Sequence, residues 1–418
     1  MPSQSIVSTP TKALKEKKEK KASLFNQPLS VWAIFFASVI AFMGIGLVNP
    51  ILPEIANKLN ASPSQVTLLF TSYNAVMAFA MLITGVISTR LGHKWTLLLG
   101  VGIIAAVSVT GGFANNIWTL VGLRGGWGLG NALFVATALA AIVSLSKSGT
   151  AKAIILYEAA VGLGISIGPL LGGTLGSISW RGPFFGVSTL MLFVFIILIT
   201  LMPKAKDNNL ETTSTAKQKT SLLDPFRAMK HRSLLVLGLV AALYNVGFFT
   251  IMAYAPFVLG LDAKGLGYVF LGWGILLAIT SVFMAPKLQQ RFGTIKSMRI
   301  MLSLFVLDLV VMGIFTSLQW VVICAVIFAG AILGNNNTLI TTAVMDAAPV
   351  ERSTASAAYS FLRFIGAAIS PFMAAKLAEV FNPHVPFLVG GSFVLLSLLF
   401  VLLNDKHVRH VDELESVL

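Results

Sequence analysis

Ionisable residues stand inside, or at the mouth of, apolar stretches long enough to cross a membrane, among them Arg124, Glu158, Asp308 and Asp346. An ionisable side chain in hydrocarbon is costly and is kept where it faces protein or water, so each is a candidate for moving charge or protons. At 1.5 Å per residue, Arg124 lies roughly 10 Å to one side of the midplane and Glu158 roughly 10 Å to the other, too far apart for a direct ion pair. Glu158 therefore reads as a lone carboxyl unless some other cation reaches it. Keeping it ionised in low dielectric is costly, so it can take up and release a proton. A neutral carboxyl in a satisfied hydrogen bond is the plainer alternative. Asp346 sits at the mouth of the tenth apolar segment.

The elements that must position these charges are marked by small residues. In GLGISIGPLLGG, residues 162 to 173, Gly164, Gly168 and Gly172 recur every four residues. They share one face of a helix and strip it of side chains, so another helix can approach closely. Pro169 lacks an N–H and crowds the carbonyl of Ile165, which predicts a bend or a loosened turn. Gly173 continues the smooth stretch. Such a helix suits a moving joint; ordinary glycine packing in a membrane bundle is the alternative. Further on, Ser62 before Pro63 reads as a helix cap with proline in the first turn.

Composition sets the frame for both. Mean hydropathy is +0.85 over 418 residues, with 56% hydrophobic and 11% charged residues, values that ordinary soluble domains do not reach. About 20 apolar residues cross a hydrocarbon core. Twelve such segments can be read, at 30–53, 65–88, 95–113, 117–145, 153–176, 183–202, 233–259, 266–285, 297–316, 319–345, 354–378 and 385–403. Most of the 30 Lys and Arg fall in cytoplasmic segments if the amino terminus is inside, which is the positive-inside pattern. The net charge of +14 thus needs no nucleic acid. The run KALKEKKEKK is then a solvated topology signal or a contact for anionic lipid. The first apolar segment is too long for a signal-peptide core and is expected to be retained. One cysteine, Cys324, allows no internal disulfide and no metal cluster. No phosphate-binding loop and no Ser/His/Asp set is present, which argues against an enzyme and against ATP drive.

These residues together give a resemblance to the major facilitator superfamily, in particular to its twelve-helix drug:proton antiporters. The Gly164, Gly168–Pro169, Gly172–Gly173 pattern looks like the antiporter motif of their fifth helix. GVISTRLGHKW, residues 85 to 95, is similar to the signature loop between helices 2 and 3, with Gly85, Arg90, Gly92 and Lys94 in the family's places. His93 stands where a basic residue is usual, and Thr89 where the family has an acid. The resemblance implies that this acid latches the two halves by charge, so Thr89 is expected to hold the outward-facing state less firmly. LVGLRGGWGLGNA resembles the fourth-helix motif whose arginine, here Arg124, is linked to proton coupling, with Trp127 replacing the usual glutamine. A structural arginine bonded to backbone carbonyls is the alternative. PVERSTASAAYSFLRFIGAAISP resembles helices 10 to 11 of a bacterial drug-exporter subgroup. In this fold the ninth helix is a peripheral scaffold, so Asp308 is expected to serve a structural partner such as Arg363 rather than to carry protons.

Adding about 202 residues maps Gly164, Gly168 and Pro169 onto Gly366, Ser370 and Pro371, and Arg90 and Gly92 onto the neighbourhood of Arg291 and Gly293. Two homologous halves follow. Phe328 stands where the second half would repeat Arg124. The expected fold is an all-α membrane protein, with twelve transmembrane helices in two pseudo-symmetric six-helix halves at 29–202 and 233–404. A basic tail (1–28), a linker (203–232) and a second tail (405–418) are expected in the cytoplasm. The substrate cavity between the halves is expected to draw on Asn49, Asn74, Trp127, Asn131 and Tyr157, and on Tyr244, Asn245, Phe248, Asn335, Tyr359 and Arg363. The resemblance implies a proton-coupled exporter of amphipathic drugs or toxic compounds working by alternating access. It would be a monomer in the plasma membrane of a bacterium, with small molecules, protons and lipid as partners and the proton gradient in place of a cofactor. An exporter dedicated to one metabolite, such as a siderophore, sugar or amino-acid derivative, is the main alternative. An uptake permease or a non-transport receptor is disfavoured.

Overall fold

A chain that must satisfy every backbone N–H and C=O inside hydrocarbon has helices and closed barrels as its options, and the apolar runs here show no strand-like alternation. The computed structural model, which describes residues 27–147, 150–203, 224–347, 350 and 352–415, is helical throughout its spans. The basic stretch 1–26 and most of the expected linker lie outside the described residues.

Among the described residues, eleven helices are long and apolar enough to cross a membrane. One of them, Pro63–Gly112, is 50 residues long and carries two spans. Gly92 breaks its helical path at φ 77° and ψ 161°, a left-handed position that suits glycine. We label the arm before Gly92 α2 and the arm after it α3, which gives the twelve spans expected from the sequence. The others are α1 (Leu29–Gly46, continued by Asn49–Ile51 and Leu52–Lys58), α4 (Ile117–Leu145), α5 (Thr150–Ile178), α6 (Gly182–Leu201) and α7 (Arg232–Val258). They are followed by α8 (Ala263–Ile279), α9 (Thr294–Ile314), α10 (Gln319–Ala347), α11 (Arg352–Val380) and α12 (Val385–Leu403). A π-turn, Thr280–Met284, carries α8 on into Ala285–Phe292.

Local chemistry explains the boundaries. Ser62 Oγ accepts from Gln65 N at 3.3 Å while Gln65 Oε1 accepts from Ser62 N at 2.9 Å, a reciprocal cap that starts α2. Asn116 and Asp262 cap α4 and α8 one way, accepting from Thr119 N and Gly265 N. Lys94 Nζ donates to Ile199 O at 2.9 Å and to Met202 O at 2.6 Å, so the loop after α2 closes the last carbonyls of α6.

The repeat is visible in the packing. Gly164, Gly168 and Gly172 of α5 lie against the carbonyls of Val39, Met43 and Leu47 on α1; a Cβ at Gly168 would come 2.5 Å from Met43 O. In the second half Gly366 of α11 lies against Ala242 O of α7, and Ser370 Oγ donates to Val246 O at 2.5 Å. The mapped positions therefore do equivalent work. The mapped loops agree too: Gly293 has φ 83° and ψ 164°, nearly the values at Gly92.

Two seams join the halves. In one, α5 meets α8, where Gly173 approaches Gly267, Pro169 O approaches Gly267, and Ser166 approaches Gly274. In the other, α2 meets α11, with Asn74 Nδ2 donating to Ala367 O at 3.4 Å and Ser64 N donating to Glu379 Oε1 at 2.8 Å. Asn49 Nδ2 reaches Met252 Sδ at 3.2 Å between α1 and α7. These bonds run from mid-span to the face opposite the 203–232 segment, and that face is shut. On the linker side, Thr89 and Arg90 are exposed and no atom lies within 4 Å of where a Cβ would stand on Gly85 or Gly92.

The sequence treats the smooth face of α5 as one moving joint. The structure divides it. Gly164, Gly168 and Gly172 weld α5 to α1 of the same half, whereas Gly162, Ser166 and Gly173 lie about a third of a turn away against α8 of the other half, and Pro169 serves both, its ring on Gly46 and its carbonyl on Gly267.

Candidate functional site

The charges sort into three settings. In the first half, Arg124 is 2% exposed and meets no carboxylate. Its guanidinium carbon lies 4.3 Å from the Trp127 ring centroid and 4.8 Å from that of Tyr73, and Nη2 donates to Gly44 O at 3.3 Å. Two aromatic faces and one carbonyl replace an anion here. Its Nε and Nη1 have no protein partner. Asn131 Nδ2 bonds Tyr73 OH, which fixes the ring under the guanidinium. Gly128 lets α4 lie directly on the Tyr73 backbone.

In the middle, the halves bring together groups that the sequence leaves apart. Glu158 on α5 is exposed to the space between the halves. It is not a lone carboxyl: Arg363 on α11 acts on it electrostatically, and it on Arg363, with no direct bridge closing the pair. The expected partnership of Asp308 with Arg363 is thereby corrected. Arg363 Nη2 instead donates to Asn337 Oδ1 at 3.3 Å, and Tyr244 OH donates to the same oxygen at 2.5 Å. Tyr244 and Tyr359 both lie within electrostatic range of the guanidinium. Arg363 is thus held by one neutral acceptor, Asn337 Oδ1, and stands within electrostatic range of Glu158.

Asn337 is the functional candidate that sequence reasoning passed over in favour of Asn335. Consecutive residues of a helix point about 100° apart, so a run of three asparagines can present one to a cavity. Asn337 is half-buried in this position, while Asn335 and Asn336 are buried between helices.

The remaining expected cavity residues are placed as follows. Asn49, Asn74, Asn131, Asn245, Asn335 and Trp127 are buried at helix contacts rather than facing open space. Asn74, Asn245 and Asn335 donate to carbonyls of their own helices, at 2.8 to 2.9 Å. Tyr157 OH donates to Val135 O at 3.4 Å and its ring edges Phe42. Phe248 is half-buried and lies on Trp273, 5.9 Å between centroids. Asp346 is exposed one residue from the end of α10. Thr89 Oγ1 donates to Val86 O of its own helix, at 2.9 Å. Among the described residues no cluster of His, Cys, Asp and Glu could hold a metal.

The third setting is Asp308, 7% exposed, on α9. It stands away from the seams, in a helix that packs on α10 and α12 of its own half.

Comparison with known proteins fits this architecture. The profile of the Major Facilitator Superfamily matches residues 34–371. The multidrug efflux protein YfmO of Bacillus subtilis (strain 168) is 53% identical over 392 residues, 94% of this chain and 97% of that protein. The quinolone resistance protein NorA of Staphylococcus aureus (strain MSSA476) is 24% identical over 390 residues, 92% of this chain and 98% of that one. Among solved structures, a bacterial homologue of the human lysosomal transporter Spinster, in an inward-facing, unoccupied conformation, superposes with a TM-score of 0.75 at 17% identity, covering 92% of this chain and 98% of its own. The nucleoside transporter NupG gives 0.71 at 12% identity, covering 90% and 100%. The chain belongs to the major facilitator superfamily and is a membrane transporter rather than an enzyme.

Proposed function

We propose that the chain exports amphipathic compounds in exchange for protons, by alternating access around the space between Glu158 and Arg363. The observation that carries this reading is the placement of those two groups: a carboxyl open to the cavity on one half and a cation on the other, coupled but not bonded. A cationic substrate arriving from the open side competes with Arg363 for the carboxylate. A proton arriving from the other side removes the negative charge and with it the attraction across the cavity. Substrate and proton thus oppose one another at a single group, which is what exchange needs, and thermodynamic linkage makes the opposition reciprocal. The printed activity of the Bacillus relative, multidrug efflux, supports the same reading.

With the linker side cytoplasmic, as the positive-inside pattern places it, the shut face is external and the structure is in its inward-open state. Both tails are then cytoplasmic, the membrane is the bacterial plasma membrane, and the working unit is one chain. Gly85, Thr89, Arg90, Gly92 and Lys94 serve as the gating loop. The α5–α8 seam, with Pro169 and Gly173 in it, is where the halves rock.

The test is ethidium transport in proteoliposomes under an imposed pH gradient. Glu158→Gln is expected to reduce gradient-driven transport about tenfold or more, the scale of a lost coupling of 1–3 kcal/mol, while ethidium still binds. Unchanged gradient-driven transport would remove Glu158 from the mechanism. Absence of transport by well-folded wild-type protein, for ethidium and for Hoechst dye alike, would favour a pump dedicated to one metabolite.

A further inference from the structure

The second half carries a polar atom that the exchange reaction does not use. Asp308 is 93% buried by the complement of its 7% exposure, and its Oδ2 has no hydrogen-bond partner. It lines a cavity of about 500 Å³ between α9 and α10. The cavity opens away from the seams: Leu307, Trp320 and Phe328 on its rim are 59%, 75% and 51% exposed on the side of the bundle that faces lipid. Every other residue lining it is apolar or is Cys324, and no Lys, Arg or His is among them. Neither Glu158 nor Arg363 reaches it.

A hydrocarbon-walled recess with one unanswered carboxyl oxygen specifies its occupant. The walls take an alkyl or aryl body from the bilayer, and the volume is within the range of ligand sites. The carboxyl oxygen requires a donor, because an unsatisfied polar group in hydrocarbon costs several kcal/mol. A donor that is also a cation satisfies the charge as well, and charge-assisted hydrogen bonds are roughly twice as strong as neutral ones. We propose that the α9–α10 groove is a second, lipid-facing binding site for membrane-dissolved lipophilic amines, held by the Asp308 carboxyl and separate from the central cavity.

The experiment uses the full chain in nanodiscs of phosphatidylethanolamine and phosphatidylglycerol, with dodecylamine carrying a diazirine in mid-chain as the probe. After illumination, adducts are mapped by mass spectrometry, in competition with plain dodecylamine or with dodecanol. The expected result is labelling within 304–328, displaced by dodecylamine and not by dodecanol at equal concentration. Asp308→Asn keeps the shape and removes the charge; it is expected to lower labelling about tenfold, the scale of a hydrogen bond to a charged group. Cys324→Trp keeps the carboxyl and fills the groove, and is expected to abolish labelling there. Melting curves of both variants report folding, and the buried orphan predicts no loss of stability in Asp308→Asn. Equal labelling of Asp308→Asn and wild type, equal displacement by dodecanol, or no adduct in the groove would each overturn the proposal.

Discussion

The contact of α5 with α1 and its counterpart, α11 with α7, follow the same path but are held in different ways. In the first half the contact is made by backbone on backbone: Gly168 meets Met43 O with no room for a side chain. In the second half Ser370 occupies the mapped position, and its hydroxyl bonds Val246 O at 2.5 Å and Thr250 Oγ1 at 3.1 Å. In a membrane neither contact gains from the hydrophobic effect, so close packing and hydrogen bonds are what remain to hold helices together. The first half relies on close packing at all three turns, whereas the second keeps it where Gly366 meets Ala242 O and uses hydrogen bonds at Ser370. The polar cores differ in the same sense: Arg124 sits between two rings on one side, and Phe328, its counterpart by repeat, faces lipid on the other. The half that keeps Arg124 between two rings also keeps glycine at the turn where the other half places Ser370.

The largest test of this contrast is an exchange of the two residues. Gly168→Ser inserts a Cβ at 2.5 Å from Met43 O, where only backbone can yield. Overpacking of this kind typically costs about 1–3 kcal/mol, and thermal unfolding in detergent together with ethidium transport should both be impaired. Ser370→Gly removes the hydroxyl's bonds to Val246 O and Thr250 Oγ1, about 1 kcal/mol each, without forcing backbone apart, and transport should survive. Comparable damage from the two substitutions would remove the distinction between the joints.

The two reversal loops offer a finer comparison. Alanine at Gly92 suffers only backbone strain, about 1–3 kcal/mol, because nothing stands within 4 Å. Alanine at Gly293 suffers the same strain and also meets the Asp412 carboxyl, 2.8 Å from the new methyl carbon. Gly293→Ala should therefore lower the melting temperature further than Gly92→Ala. Equal lowering would mean that the Asp412 contact yields at no cost, and the reverse order would remove this account of the two loops.

The smallest effect concerns Thr89, whose hydroxyl bonds its own helix and nothing across the seam. Thr89→Asp should restore a charge for the latch and shift the population toward the outward-facing state, seen as greater labelling of a cysteine introduced in the external cavity. A shift of about 1 kcal/mol changes a two-state ratio roughly fivefold. Reduced or unchanged labelling would end that account of the loop.

Most of the fold was legible in the sequence because each span is a long apolar run and because one repeat offset aligned two separate landmarks, the glycine–proline face and the reversal loop. The reversal at Gly92 was legible from glycine in a basic loop. The site was legible as a list of parts and not as an arrangement. Glu158 and Arg363 come from different halves, and nothing local says that α5 and α11 turn them toward one space. Asp308 and Arg363 looked like a pair because both are charges in the same half, yet α9 lies outside the seams. Amides such as Asn74, Asn245 and Asn335 looked like cavity residues by type. A buried amide on a helix can also satisfy itself on the carbonyl one turn back, and these do. The three-asparagine run required knowledge of helix rotation, which only packing supplies.

The loop lysine Lys94 has a consequence in time. Its ammonium holds Ile199 O and Met202 O, so the first half can fasten its own last helix once the ribosome has passed residue 202. Among the described residues the second half is fastened at a matching distance along the chain: Arg299 pairs with Asp405, just past α12, and Asp412 accepts from Ile295 N at 2.8 Å. Each half is thus fastened by its own loop as soon as its own last helix has been made.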